Sequence, residues 1–255
     1  MTVPDYGKVE MFGVPFDRVT MAQALEQVEA AIADRSTLTQ SVGVNTDQLL
    51  KMQREPDFAK IILKCDQITA DGMPVVWVSK LLRSPLPARV PSVDIMLELL
   101  PLAERKGYRV FMLGTKEEYL QKAAANLQAR FPKLQIAGLR NGYFKEPDEP
   151  EIVEQINAAR TDILLIAISS PKKEEFVERN RAQLDVPFVM GVGGAFDIEA
   201  GLYTRAPRVL QKTGLEWAWR VWQEPKRFGP RILDDLNFSK YVAKEIAKKA
   251  RARFS

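Results

Sequence analysis

The chain has 255 residues, 46% hydrophobic and 27% charged, enough apolar material for one large core or two modest ones. Histidine is absent and cysteine occurs once, at Cys65. That excludes Ser-His-Asp triads, histidine bases, histidine metal sites and an internal disulfide, and it suits a reducing cytoplasm. The net charge of +4 is uneven: residues 201–255 hold 13 Lys and Arg against 5 Asp and Glu, a net of +8, while residues 1–200 hold 24 against 28, a net of −4.

The opening stretch "MTVPDYGKVE" has neither a basic nor an apolar region, so no secretory leader is expected, and no apolar run approaches the ~20 residues needed to span a bilayer. In chain order, short apolar runs predict strands at Ser41–Asn45, Gln67–Ala70, Arg109–Leu113, Leu134–Gly138, Ile163–Ile168 and Phe188–Val192. Segments of helical period precede and separate them: Met21–Ala33, Thr46–Leu63, Val75–Leu82, Val93–Lys106, Lys116–Phe131, Pro150–Arg160 and Lys172–Leu184. Near-continuous apolar strands alternating with helices predict an α/β domain over residues 1–200, its parallel sheet covered on both faces. After Gly201 the strand signals stop, and residues 201–255 read as a basic, aromatic helical appendage.

Ligands of such sheets bind where the strands end at their carboxyl termini. The residues that follow each run are therefore the candidates: Asn45, Asp71, Gly114, Lys172 with Lys173, and Gly193, Gly194 and Asp197. In "GVGGAFD" (191–197), glycines let backbone N–H groups approach a phosphate or ribose, or simply make a tight strand-to-helix turn. It is neither a G-x-G-x-x-G nor a Walker motif, which disfavours a nucleotide-dependent oxidoreductase. "SSPKKEEF" (169–176) is either an anion-binding helix start reinforced by Lys172 and Lys173 or ordinary capping with solvated lysines. Arg89, in the proline-rich "LPARVPSVD", is a residue type suited to phosphate or a plain surface residue. Asp71, in "ITADGMPVV", is either the N-cap of the helix beginning near Pro74 or a general base in the crevice, and the pattern alone does not choose. In the appendage, Trp217, Trp219 and Trp222 interleave with Arg220, Lys226, Arg227 and Arg231. That mixture suits an anionic membrane surface, and a core-packed helical subdomain is the plain alternative. Nucleic acid is disfavoured, because the body is acidic and no reader motif is present.

The ordered pieces "NTDQLL", "ADGMPVVW", "LPARVPSVDIM", "SSPKKE", "GVGGAFDIEAGLYTRAPRVLQKTGLEW" and "RVWQEPKRFGPR" resemble the WecG/TagA/CpsF family of bacterial glycosyltransferases from about Val42 to Arg231. The resemblance implies a Rossmann-like sheet domain with a C-terminal helical appendage that helps close the active site. It implies inverting transfer of N-acetylmannosamine or a related hexose from a UDP-sugar to a polyprenyl-diphosphate-linked sugar. The protein would sit in the cytoplasm, peripherally on the inner face of the cell membrane, and serve synthesis of teichoic acid or another surface polysaccharide. No metal or cofactor is implied, and a homo-oligomer is compatible. Asp71 matches the family's catalytic aspartate, Arg220, Arg227 and Arg231 match arginines that complete the site, Arg89 a pocket arginine, and Asn45 an asparagine near the donor. The chain departs from the family at Gly43 (usually threonine), Ser92 (usually glycine), Lys173 (usually glutamine) and the turn Leu113–Thr115. Those departures bear on the donor sugar, and they leave a second reading: a catalytically inactive module that binds a nucleotide sugar or a polyanion.

Overall fold

The computed structural model describes residues 3–207, 209–210, 213–223 and 238–247, without the side chains of Trp217 and Arg220. Six parallel strands form the main sheet: β3 (Thr39–Val44), β4 (Gln67–Ala70), β5 (Arg109–Gly114), β6 (Gln135–Arg140), β7 (Ile163–Ala167) and β8 (Phe188–Gly191), in the order β4-β3-β8-β7-β5-β6. The expected α/β architecture, Rossmann-like with a helical C-terminal segment, is what forms.

The apolar runs are continuous because each central strand is buried on both faces, and alternate residues serve alternate cores. Val110, Met112, Ile163, Leu165, Phe188 and Met190 face one core with α1 (Met21–Asp34), α5 (Ser92–Lys106), α6 (Glu117–Arg130) and α9 (Ala195–Glu199). Phe111, Leu113, Leu164, Ile166 and Val189 face the other with α7 (Glu149–Ala158) and α8 (Lys172–Asn180). A third core joins β3 and β4 to α2 (Thr46–Arg54), α3 (Pro56–Leu63) and α4 (Met73–Leu81).

Two features differ from the sequence expectation. The helix predicted over Thr46–Leu63 is two helices: Glu55 is extended (φ −124°, ψ 91°) and Pro56 opens α3. A proline disfavours helical backbone in the residue before it, which accounts for the break. The N-terminal segment, given no strand, forms an antiparallel hairpin of β1 (Lys8–Met11) and β2 (Val14–Asp17). Its two-residue turn holds Phe12 and Gly13 at φ 57° and 75°, the positive angles of a type I′ turn. The hairpin is fastened to the sheet edge by Asp17, a buried carboxylate that accepts the Ile68 N–H at 2.7 Å.

In the C-terminal part, residues 216–223 form α10 (Glu216–Gln223) and residues 238–247 are helical. Phe238 and Phe12 approach to 5.7 Å between ring centroids, so this last helix packs on the hairpin. No helix among the described residues is long and apolar enough to cross a membrane.

Cys65, at the start of the turn into β4, is 5% exposed, and burial, aided by the nearby Glu174 charge, pushes its thiol up to about 12. Only the thiolate reacts with alkylating agents. Iodoacetamide at pH 8 should therefore leave the folded chain unlabelled and alkylate it fully in denaturant; rapid labelling of the native chain, read by mass, would contradict this packing.

Candidate active site

The six strands run parallel, so all their carboxyl ends meet one edge of the sheet. The chain leaves β5 outward to β6 and leaves β7 the opposite way to β8, so a crevice opens between these neighbours. An open cavity of about 640 Å³ lies there, lined by Thr115, Gly142, Tyr143, Phe144, Lys145, Ser169 and Lys172 among others. Gly114 ends β5 at φ 143°, where a Cβ would lie 2.4 Å from the Ala167 carbonyl oxygen; only glycine lets these strand ends come so close.

Lys172 projects along this cavity. Its ammonium lies 3.8 Å from the Phe144 ring centroid and donates to the Gly142 and Phe144 carbonyls, and burial pulls its pKa below the ordinary lysine value. The Thr115 hydroxyl donates to Asp197 of α9, which ties the cavity to the β8–α9 loop. Gly193 and Gly194 stand in that loop, with Gly193 at φ 54° and open space where either would carry a Cβ. Lys173 turns away instead. Its chain lies beneath Gly191, and its ammonium is 2.6 Å from Glu174 Oε1, with side chains 13% and 2% exposed. The Ser170 hydroxyl donates to the other oxygen of Glu174, so serine here serves the glutamate and not the helix N–H groups. Removing one partner of such a buried pair costs about 3–5 kcal/mol, so Lys173 is bound into the fold itself.

Two and three strand positions beyond β7, the ends of β3 and β4 build a second region. Asp71 follows β4 and its N–H donates to the Val44 carbonyl. It is not the cap of α4: Gly72 holds that position, and no side chain caps the helix. The segment after α4 returns along β4, where Val90 N–H donates to the Ala70 carbonyl and Thr69 Oγ1 donates to the Val90 carbonyl. This pins the segment from Arg89 to Ser92 along the end of β4, with Ser92 next to Asp71. A Cβ on Gly43 would lie 2.4 Å from Ser92 Oγ and 2.8 Å from Asp71 Oδ2, so the serine hydroxyl and the carboxylate share the room that the glycine leaves. Ser92 is also the first residue of α5, where the positive end of the helix macrodipole favours negative charge nearby. Asn45 caps α2, accepting the Gln48 N–H at 3.0 Å, and its Cβ lies 3.8 Å from where one on Gly72 would be.

Arg89 is 13% exposed and engaged on both arms: Nη1 donates to Glu216 Oε2 of α10 at 2.7 Å, and Nη2 is 3.6 Å from Asp94 Oδ2. Arg205 pairs with the other oxygen of Asp94. Two cations and two carboxylates thus clamp the C-terminal region onto the start of α5, and a phosphate reaching Arg89 would have to exchange with a carboxylate. The backbone of Arg220 lies within α10, while Arg227 and Arg231 lie outside the described residues. Among the described residues no three His, Cys, Asp or Glu side chains are grouped to hold a metal ion.

Sequence reasoning missed Tyr143, Phe144 and Lys145, although "NGYF" also follows a strand and the same rule would have found them. It noted Gly43 and Ser92 only as departures. Asp94, Arg205 and Glu216 gave no signal, because their importance lies in who meets whom.

A parallel α/β sheet with a carboxylate, cations and glycine turns gathered on its carboxyl edge is an architecture on which enzymes of many different chemistries are built. The sequence matches the glycosyl transferase WecG/TagA/CpsF family over residues 9–252, and the chain belongs to that family. It is 31% identical, over 96% of either chain, to N-acetylglucosaminyldiphosphoundecaprenol N-acetyl-beta-D-mannosaminyltransferases of Staphylococcus aureus strains MW2, NCTC 8325 / PS 47 and MRSA252.

The shared room over Gly43 makes a stability prediction. Gly43→Ala should destabilise the fold by about 1–3 kcal/mol through overpacking. Adding Ser92→Gly should recover part of that loss, with a coupling of about 0.5–3 kcal/mol in a double-mutant cycle by urea denaturation. Strictly additive effects would show that the two positions do not compete.

Proposed function

We propose that this protein transfers N-acetylmannosamine or a related hexose, with inversion, from a UDP-sugar to a polyprenyl-diphosphate-linked sugar at the inner face of the cell membrane. The observation that carries it is the position of Asp71: a carboxylate at the carboxyl end of β4, held beside the α5 N-terminus in a chain of this family. The Staphylococcus relatives are named for a diphosphoundecaprenol acceptor and a β-mannosaminyl product.

In this reading the donor lies across the carboxyl edge. From β7 to β4 is three strand spacings and from β5 four, about 14–19 Å at about 4.8 Å each, a span suited to an extended nucleotide sugar. The base end would occupy the β5–β7 cavity, where Tyr143 is 70% exposed and offers a stacking face. Gly193, Gly194 and Lys172 would meet the diphosphate or ribose, and Asn45 and Asp71 would meet the sugar and the incoming acceptor. Asp71 takes the proton from the acceptor hydroxyl as that oxygen attacks the anomeric carbon; the bond to UDP breaks and UDP leaves with the electron pair. With no metal invoked, the negative charge that develops on UDP must be met by protein donors, which is the part given to Arg220, Arg227 and Arg231. The Arg89–Glu216 pair supports an appendage that docks on the site.

Asp71→Asn should leave UDP binding by calorimetry nearly unchanged and lower the transfer rate at least ~10²-fold, the scale of losing a general base. Wild-type turnover in that variant would remove Asp71 from the mechanism. A wild-type protein that binds UDP-sugar and transfers nothing to any polyprenyl-linked acceptor would favour the inactive binding module instead.

A further inference from the structure

We propose that the outer face of α4, the helix that follows Asp71, is a surface that docks on an anionic lipid bilayer, separately from the basic stretch at the C-terminus. One side of α4 is spent on the core through Val75, Val76 and Val78. The other side presents Trp77 at 48% and Leu81 at 61% exposure, with Lys80 and Arg83 exposed beside them. From Gly72 to Ala88 the chain carries no acidic residue. The apolar face continues beyond the helix: Trp77 packs over Gly214, where a Cβ would lie 2.6 Å from the ring, and Leu215 next to it is 44% exposed.

An exposed tryptophan and leucine rimmed by cations match the headgroup boundary of a membrane, where the ring sits at the interface and the cations meet lipid phosphate. The lack of carboxylates in this segment is what an anionic surface selects. The proposal rests on the reading of a lipid-linked acceptor, which the relatives' diphosphoundecaprenol supports. It adds an orientation: the face belongs to the helix that starts two residues after Asp71, so a bilayer docked there lies on the side of the molecule that carries this carboxylate.

The test uses the full chain and vesicles of phosphatidylcholine with or without phosphatidylglycerol. Trp77 is left intact because it supports Gly214, and Lys80, Leu81 and Arg83 are all changed to Ser. At roughly fivefold per basic residue near an anionic surface, cosedimentation with phosphatidylglycerol vesicles should weaken at least ~10-fold. The melting temperature and the transfer to a water-soluble, short-chain acceptor should be unchanged. Equal vesicle binding by wild type and variant would overturn the surface while soluble transfer keeps the site reading alive. Loss of soluble transfer in wild type would overturn that reading on its own. Unchanged vesicle binding, with a wild-type dimer that the variant cannot form, would assign the face to a second copy of the chain.

Discussion

Burial of the parallel sheet on both faces governs what this protein can do. With helices packed on either side of β3, β8, β7 and β5, the faces of the sheet are closed to a ligand, and the loops at its carboxyl edge are left open to one. That single constraint gathers turns from distant parts of the sequence, among them Asp71, Thr115, Lys172 and Gly193, along one line. It also explains why glycine stands where two strand ends or two side chains must share space, as at Gly114 and Gly43.

Charge in the site is largely committed to the fold before any ligand arrives. Lys173 is held by Glu174, Arg89 by Glu216 and Asp94, and Lys172 by backbone carbonyls and the Phe144 ring. These pairs keep cations close to the carboxyl edge at fixed positions. Because Glu216 belongs to α10, Arg89 also links the placement of the C-terminal region to the segment that carries Ser92. Anion binding at Arg89 would therefore compete with the clamp on α10, and the two events are coupled through one guanidinium.

Much of the fold was legible because its signal is local. Strands such as Ile163–Ala167, buried on both sides, read as uninterrupted apolar runs, and the helices between them keep their own period. The hairpin was not legible: its turn uses Phe12-Gly13 in place of the usual Asn-Gly, and its short strands carry charge and proline. Pro56 was a visible breaker that helical period alone overrode. For the candidate site, the rule that ligands meet strand ends picked out Asn45, Asp71 and Gly193, and the structure places all three at the carboxyl edge of the sheet. What it could not reveal was pairing across the chain, such as Arg89 with a residue 127 positions later, or a serine hydroxyl filling the space over a glycine. Lys173 shows the limit from the other side, since its neighbour in sequence turned out to be its partner.

The central claim is an inverting displacement helped by the carboxylate at the end of β4. Its most direct test is to supply α-linked UDP-N-acetylmannosamine and N-acetylglucosamine on a polyprenyl diphosphate, with EDTA present, and read the new linkage by NMR. A single displacement gives a β-linked disaccharide. An α-linked product, or UDP release with no disaccharide formed, would contradict it.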